Sequence, residues 1–212
     1  MNNMTRKYDF KLTIIIGMML ASLIAFGCGD EETPPVASDD PPPQGETSDK
    51  HVSIDHVDGL TGQGHLIVGN SATFHIRINN TTDSIIKGLT QGFRIYSPDG
   101  ATWDTTMGNH TGAITNELFD IGPHINYASV DGSGADTVGF GGAKITSSGI
   151  PAGFNRIVLE IAIGPISQIS FGKTICIDSS FYPPGGAWLW SIGGSFYPDW
   201  DSPTCYDIVS GG

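Results

Sequence analysis

The residues best suited to contacting a ligand lie near the C-terminus. Trp188, Trp190, Tyr197 and Trp200 are interleaved with Asp178, Asp199 and Asp201. Aromatic rings of this kind stack on the flat C–H faces of sugars and are enriched at protein interfaces, and carboxylates beside them accept hydrogen bonds from hydroxyls. Such a set would engage a glycan or a partner protein. The competing reading is that the same rings fill a core or cover an open sheet face, because aromatic side chains bury large areas. Ser180-Phe-Tyr-Pro183 recurs as Ser195-Phe-Tyr-Pro198 on either side of Trp188-Leu-Trp190, whose spacing puts both tryptophans on one face of a strand.

A second constellation is Asp131-Gly-Ser-Gly-Ala-Asp136. Asp131, Ser133 and Asp136 on a glycine-bent loop offer hard oxygen ligands to calcium, although the twelve-residue EF-hand pattern and its closing Glu are absent. A plain turn is the simpler reading, since Asp and Gly favour turns without any metal. Six histidines are scattered at 51, 56, 65, 75, 110 and 124, with no His-x-x-x-His and no Cys-x-x-Cys, so the spacing gives little support to zinc. His51 and Asp55 are expected to share one strand face and His56 the other, while His75 reads as a surface residue. No Gly-x-Ser-x-Gly is present, and Gly139-Phe-Gly-Gly142 lacks the helix and the Lys-Ser/Thr of a nucleotide loop. The 14 acidic residues after position 50 make chance carboxylate pairs inevitable, so no catalytic residue is assigned and no cofactor other than calcium is expected.

These residues must be carried by a scaffold, and the first 50 positions are not part of it. Arg6, Lys7 and Lys11 precede an uncharged apolar run from Leu12 to Phe26. The run falls short of the roughly 20 residues needed to span a bilayer and has the length of a secretory signal. It ends at Ala25-Phe-Gly-Cys28, which resembles a bacterial lipoprotein signal. That resemblance implies cleavage before Cys28, a lipid on its thiol, and a lipid-anchored protein of the cell envelope, at the outer membrane. Residues 29–50, rich in Pro, Asp, Glu, Ser and Thr, have almost nothing apolar to bury and read as a disordered tether reaching about 60 Å. With Cys28 lipidated, Cys176 and Cys205 remain, and an oxidising compartment favours their disulfide, which closes a loop of about 30 residues and stabilises by ~3–4 kcal/mol. After cleavage the chain holds 7 basic and 21 acidic residues. Such a surface repels nucleic acid.

Residues 51–212 are enough for one domain with one core. No helical period persists, whereas Phe74, Ile76 and Ile78, and Ile157, Leu159, Ile161 and Ile163, alternate with other side chains as half-buried strands do. Asn79-Asn80, Pro98-Asp-Gly100 and Pro183-Pro-Gly-Gly186 supply turns. Many short strands with frequent turns predict an all-β fold, an antiparallel two-sheet β-sandwich of immunoglobulin-like or jelly-roll kind, with a closed barrel as the alternative. Strands are expected near 52–57, 64–69, 72–79, 92–97, 112–119, 124–130, 136–146, 154–163, 173–178, 187–191 and 205–209. If Ile175 and Ile177 point inward, Cys176 points outward and the bridge lies across the outside of a sheet.

The segments Lys87-Gly-Leu-Thr-Gln-Gly-Phe-Arg-Ile-Tyr-Ser-Pro-Asp-Gly100 and Cys176-Ile-Asp-Ser-Ser-Phe-Tyr-Pro-Pro-Gly-Gly-Ala-Trp-Leu-Trp190 resemble a domain of secreted environmental bacteria. It is similar in layout to cohesin-like and carbohydrate-binding sandwiches, which are binding modules. The resemblance implies a tethered module that binds a glycan or a protein and is not an enzyme. A structural envelope lipoprotein without a small ligand is the second reading, and a hydrolase the third.

Overall fold

A computed structural model of the chain describes residues 49–113, 119–128, 132, 135–146, 148–181, 188–200 and 203–211. The chain divides into two units, 1–39 and 40–212, and every described residue belongs to the second. The expected signal, Cys28 and nearly all of the tether therefore lie outside the described residues.

The smaller of two sheets has four strands: β1 (Val52–Asp58), β3 (Ala72–Asn79), β8 (Asn155–Ile166) and β5 (Trp103–His110), in the order β1-β3-β8-β5. Phe74, Ile76 and Ile78 are fully buried while Thr73, His75 and Arg77 between them are not, so β3 is amphipathic with the period of two that its sequence shows. The larger sheet is built on β4 (Gly88–Tyr96). On one side β4 pairs with β7 (Ala135–Ala143), which in turn pairs with β6 (Ile121–Ala128). On the other side it pairs with β9 (Thr174–Ser180) through residues 92–96 and with β10 (Leu189–Ser191) through residues 88–90. β9 and β10 thus run along β4 as one strand interrupted by the segment 181–188. β12 (Thr204–Val209) continues the sheet beyond β9, β2 (Leu66–Ile67) joins β12 in parallel, and β11 (Ser195–Phe196) joins β10.

One apolar core joins the two sheets. It takes Phe74, Ile76, Leu159 and Ile161 from the smaller sheet and Phe93, Ile95, Val138, Phe140, Ile175 and Ile177 from the larger. The Phe74 ring lies 5.6 Å from that of Tyr206 on β12, a direct contact across the sandwich. The expected two-sheet β-sandwich is therefore the fold. Cys176 and Cys205 are register partners on adjacent strands and are bonded as a disulfide. Ile175 and Ile177 are buried on the inner face, so the bridge occupies the outer face as alternation predicts.

Two strand expectations need correction. The strand placed at 112–119 is instead β5 at 103–110; residues 112 and 113 form a turn, and 114–118 lie outside the described residues. β5 sends Trp103, Thr106 and Gly108 inward, and two of these three carry no apolar signal. Gly108 is required by the approach of the other sheet, since a Cβ there would meet Val138 at 2.9 Å and Ile125 at 3.2 Å. The second correction concerns β1. A β-bulge between Ile54 and His56 makes Asp55 the extra residue, so His56 pairs with His75 and Val57, not His56, turns inward. Asp55 and His56 consequently share the outer side, contrary to the expectation from alternation.

Candidate binding site

The sheet registers decide which side of the sandwich each candidate residue serves. Trp190 pairs with Leu89, and both are buried. Trp188, two residues earlier, points the same way and packs against the core, where its ring lies 5.1 Å from fully buried Phe93 and 5.4 Å from Trp200. The Trp188 indole N–H donates to the Gly92 carbonyl oxygen on β4. The two tryptophans do share one face, and that face is the interior. Trp190 is wholly inaccessible, with its ring stacked at 5.7 Å on Phe196 and edge-on at 5.5 Å to His51. Trp200 is half-buried beside Phe93 at 5.7 Å. Among these four aromatics only Tyr197, 69% exposed, offers an open ring face.

The acidic candidates are also largely engaged. The Asp199 carboxylate accepts the backbone N–H of His51 at 2.8 Å, pairs with the His51 ring, and lies 3.8 Å from the Lys50 ammonium. Burial pushes this carboxyl up, but the hydrogen bonds from His51 outweigh burial and hold it below the usual carboxylate range. Its role is to fasten the start of β1 to the loop before Trp200, a function that the sequence separation concealed. Asp178 accepts the N–H of Ser179 at 2.6 Å and stands opposite Arg94 in the register. Asp201 lies outside the described residues.

The expected calcium loop is not assembled by what is seen of it. Asp131 and Ser133 lie outside the described residues. Asp136 is fully buried, with Oδ2 accepting the Trp103 indole N–H at 2.9 Å and the Thr106 hydroxyl, and Oδ1 accepting the Gly132 N–H at 3.2 Å. A carboxylate with three internal donors, none of them cationic, is satisfied as a core anchor for β5 and does not present oxygens to an outside ion.

What the larger sheet does expose is a different set. Arg94 is exposed on the outer face with its guanidinium 4.8 Å from the centre of the Tyr96 ring, a cation–π contact. Thr137 and Asp178 stand beside it at part-exposed outward positions, Thr90 lies further along β4 on the same face, and Gly88 and Gly141 are half-buried there while Gly92 and Gly139 are buried. Phe181, 72% exposed, follows the end of β9, and Tyr197 follows edge strand β11 of the same sheet.

The outer face of the smaller sheet carries a polar cluster that sequence spacing did not reveal. The His56 and His75 rings stack with centroids 4.0 Å apart. Asp55, Asp58, Arg77 and Glu160 surround them. The only sequence signal was polar residues at alternate positions of β1 and β3, and the bulge in β1 breaks that signal. Burial raises the Asp55 carboxyl, but hydrogen bonds from His56 and Arg77 more than offset this and leave it lowered.

No protein-family model matches the chain, and no curated protein matches it in sequence. Among solved structures, it is similar to the sixth cohesin of scaffoldin B of Acetivibrio cellulolyticus, solved with a dockerin, at 13% identity and a TM-score of 0.49, over 75% of this chain and 98% of that one. It is also similar to the seventh ScaB type I cohesin of Pseudobacteroides cellulosolvens, at 10% identity and 0.49, over 76% and 92%. A third such structure is the second type II cohesin of the adaptor scaffoldin ScaA of Acetivibrio cellulolyticus, at 11% identity and 0.46, over 77% and 88%. Among the described residues no helix is long and apolar enough to cross a membrane.

Proposed function

We propose that this chain is a lipid-anchored, extracytoplasmic binding module that engages a partner protein across the outer face of its larger sheet. The observation that carries the reading is where the aromatic residues fall. Trp188, Trp190 and most of Trp200 serve the interior, which removes three rings from a sugar platform. The Arg94–Tyr96 pair lies on β4, and the exposed Phe181 and Tyr197 each follow directly on a strand of the same sheet. Arg, Tyr and Phe are the side chains that protein interfaces favour. The lipid on Cys28 and the acidic tether would hold this face away from the membrane.

The test is site-specific photocrosslinking in intact cells, with a photoreactive residue at Arg94 or Thr137 and, as control, at Asn109 on the smaller sheet. A discrete protein adduct from 94 and 137 and none from 109, followed by one-to-one binding of that purified partner weakened at least ~10-fold by Arg94→Glu, supports the reading. Because the similar solved modules include one in complex with a dockerin, a dockerin is one purified arm of the binding assay. Saturable binding of a polysaccharide that Tyr197→Ala abolishes and Arg94→Glu leaves intact would replace the protein by a glycan. Anchoring is tested separately: an alkyne fatty acid fed to cells labels the wild-type chain and not Cys28→Ser.

A further inference from the structure

We infer that His56, His75 and Asp58, on the outer face of the smaller sheet, form a binding site for a divalent transition ion of the zinc type. This site is separate from the partner surface above and does not depend on it.

The backbone creates the cluster. The bulge at Asp55 restores His56 to the outer face opposite His75, and Asp58, two residues on, points the same way. One ligand atom from each of the three lies within 4.8 Å of the others. His75 Nε2 is 3.0 Å from one Asp58 oxygen, and His56 Nε2 is 3.9 Å from the other. Zinc bonds of about 2.0–2.1 Å at tetrahedral angles separate ligand atoms by roughly 3.3–3.4 Å, which these distances bracket. Asp58 is 70% exposed and free to swing, and the His56 and His75 rings, stacked here with an interplanar angle of 13°, splay on binding so that both in-plane Nε2 lone pairs meet at one ion.

The second layer is what distinguishes the cluster from a chance group of surface polar residues. The other ring nitrogen of each histidine faces its own carboxylate: His56 Nδ1 lies 2.7 Å from Asp55, and His75 Nδ1 lies 3.6 Å from Glu160. At His56, a carboxylate within hydrogen-bond distance behind the imidazole fixes the tautomer that frees Nε2 for a metal and raises its basicity; at His75, Glu160 at 3.6 Å closes on Nδ1 to do the same once Nε2 leaves Asp58 for the ion. Asp55 is itself held by the Arg77 guanidinium. Three carboxylates against one guanidinium leave two negative charges beside the imidazoles, which a dication cancels. Two nitrogens and one oxygen suit zinc better than calcium or magnesium, which take oxygen ligands. The exposed side keeps a fourth position open to water or to another molecule's side chain.

The test is calorimetric titration of the full-length chain in detergent with zinc chloride, in the presence of excess calcium. One equivalent is expected to bind with micromolar or tighter affinity. Asp58→Asn and His75→Gln should each weaken binding at least ~10-fold, and Asp55→Asn, which leaves all three ligands in place, by ~10–100-fold. His124→Gln should bind as wild type. Imidazole nitrogen NMR signals of His56 and His75 should be the ones that shift. Because Asp58 is exposed, its variant tests the ligand set without threatening the fold, and circular dichroism verifies each variant. Absence of saturable one-to-one binding, displacement of zinc by calcium, wild-type affinity in Asp58→Asn, or equal loss in His124→Gln would overturn the assignment.

Discussion

Removing the Trp190 indole tests whether the aromatic segment is structural on its inner side. The ring is fully buried between His51, Phe196 and the core of the larger sheet. Truncating a buried Trp to Ala costs ~3–5 kcal/mol, from lost transfer energy and an unfilled cavity. One effect opposes this: the Trp190 N–H is buried with no partner among the described residues, and an unmet donor costs ~1–3 kcal/mol that disappears with the ring. Taking the middle of each range, the net expectation for Trp190→Ala is ~2 kcal/mol. At roughly 2–4 °C per kcal/mol for a domain of this size, Tm should fall by about 4–8 °C. Trp190→Phe keeps an aromatic ring in the site and discards the unmet donor, so it should lie within ~1 kcal/mol of wild type. Urea denaturation of the oxidised protein, followed by circular dichroism, supplies midpoint and slope. An unchanged midpoint and slope in Trp190→Ala would place the indole at the surface and refute the reasoning.

Three further outcomes are expected. Replacing both Cys176 and Cys205 by Ser should lower the unfolding free energy by ~2–4 kcal/mol, because the bridge closes a loop with a sequence separation of 29; a change below ~0.5 kcal/mol would show that the bridge does not constrain the unfolded chain. The Lys144 ammonium, 2.8 Å from Asp120, and the Thr146 and Ile145 N–H groups hold the Asp120 carboxyl down at about 2. A depressed carboxyl stabilises above its ordinary range and loses that contribution as pH falls from 3.8 toward 2, so Asp120→Asn should flatten the acid limb of a stability-versus-pH curve there and nowhere else. Burial pushes the Tyr206 hydroxyl up to about 12 from its ordinary 10. The neutral form is thus favoured in the fold, its stabilisation is complete below pH 10 and is lost between 10 and 12, and Tyr206→Phe should remove that alkaline loss in denaturant titrations.

How far the sequence could be read follows from how each strand uses its inner positions. β3 and β8 fill theirs with Phe, Ile and Leu, so alternation alone located them and the fold class. β5 fills inner positions with Thr106, whose hydroxyl donates to Asp136, and with Gly108, where Val138 and Ile125 crowd it from the other sheet, and a strand whose inner face is polar or empty carries no alternation to detect. Alternation also states that Trp188 and Trp190 share a face without stating which face; only the pairing of Trp190 with Leu89 settles that. The disulfide was legible from cysteine number and compartment, and its outer-face position from the isoleucines around Cys176. The histidine cluster was hidden for a definite reason. One bulged residue reverses the parity of everything after it, so His56 and Asp55 seemed to oppose each other until the register of β1 on β3 was known. The anchoring role of Asp199 was equally invisible, because its partner His51 lies 148 positions away.

The central claim is that the outward side of β4, β7 and β9 is where another protein docks. Its most direct measurement is the dissociation constant of the photocaptured, purified partner for wild type, Arg94→Glu and Asn109→Asp. The account predicts at least ~10-fold weaker binding for Arg94→Glu and wild-type affinity for Asn109→Asp. Equal affinities for wild type and Arg94→Glu, or a loss confined to Asn109→Asp, would contradict it.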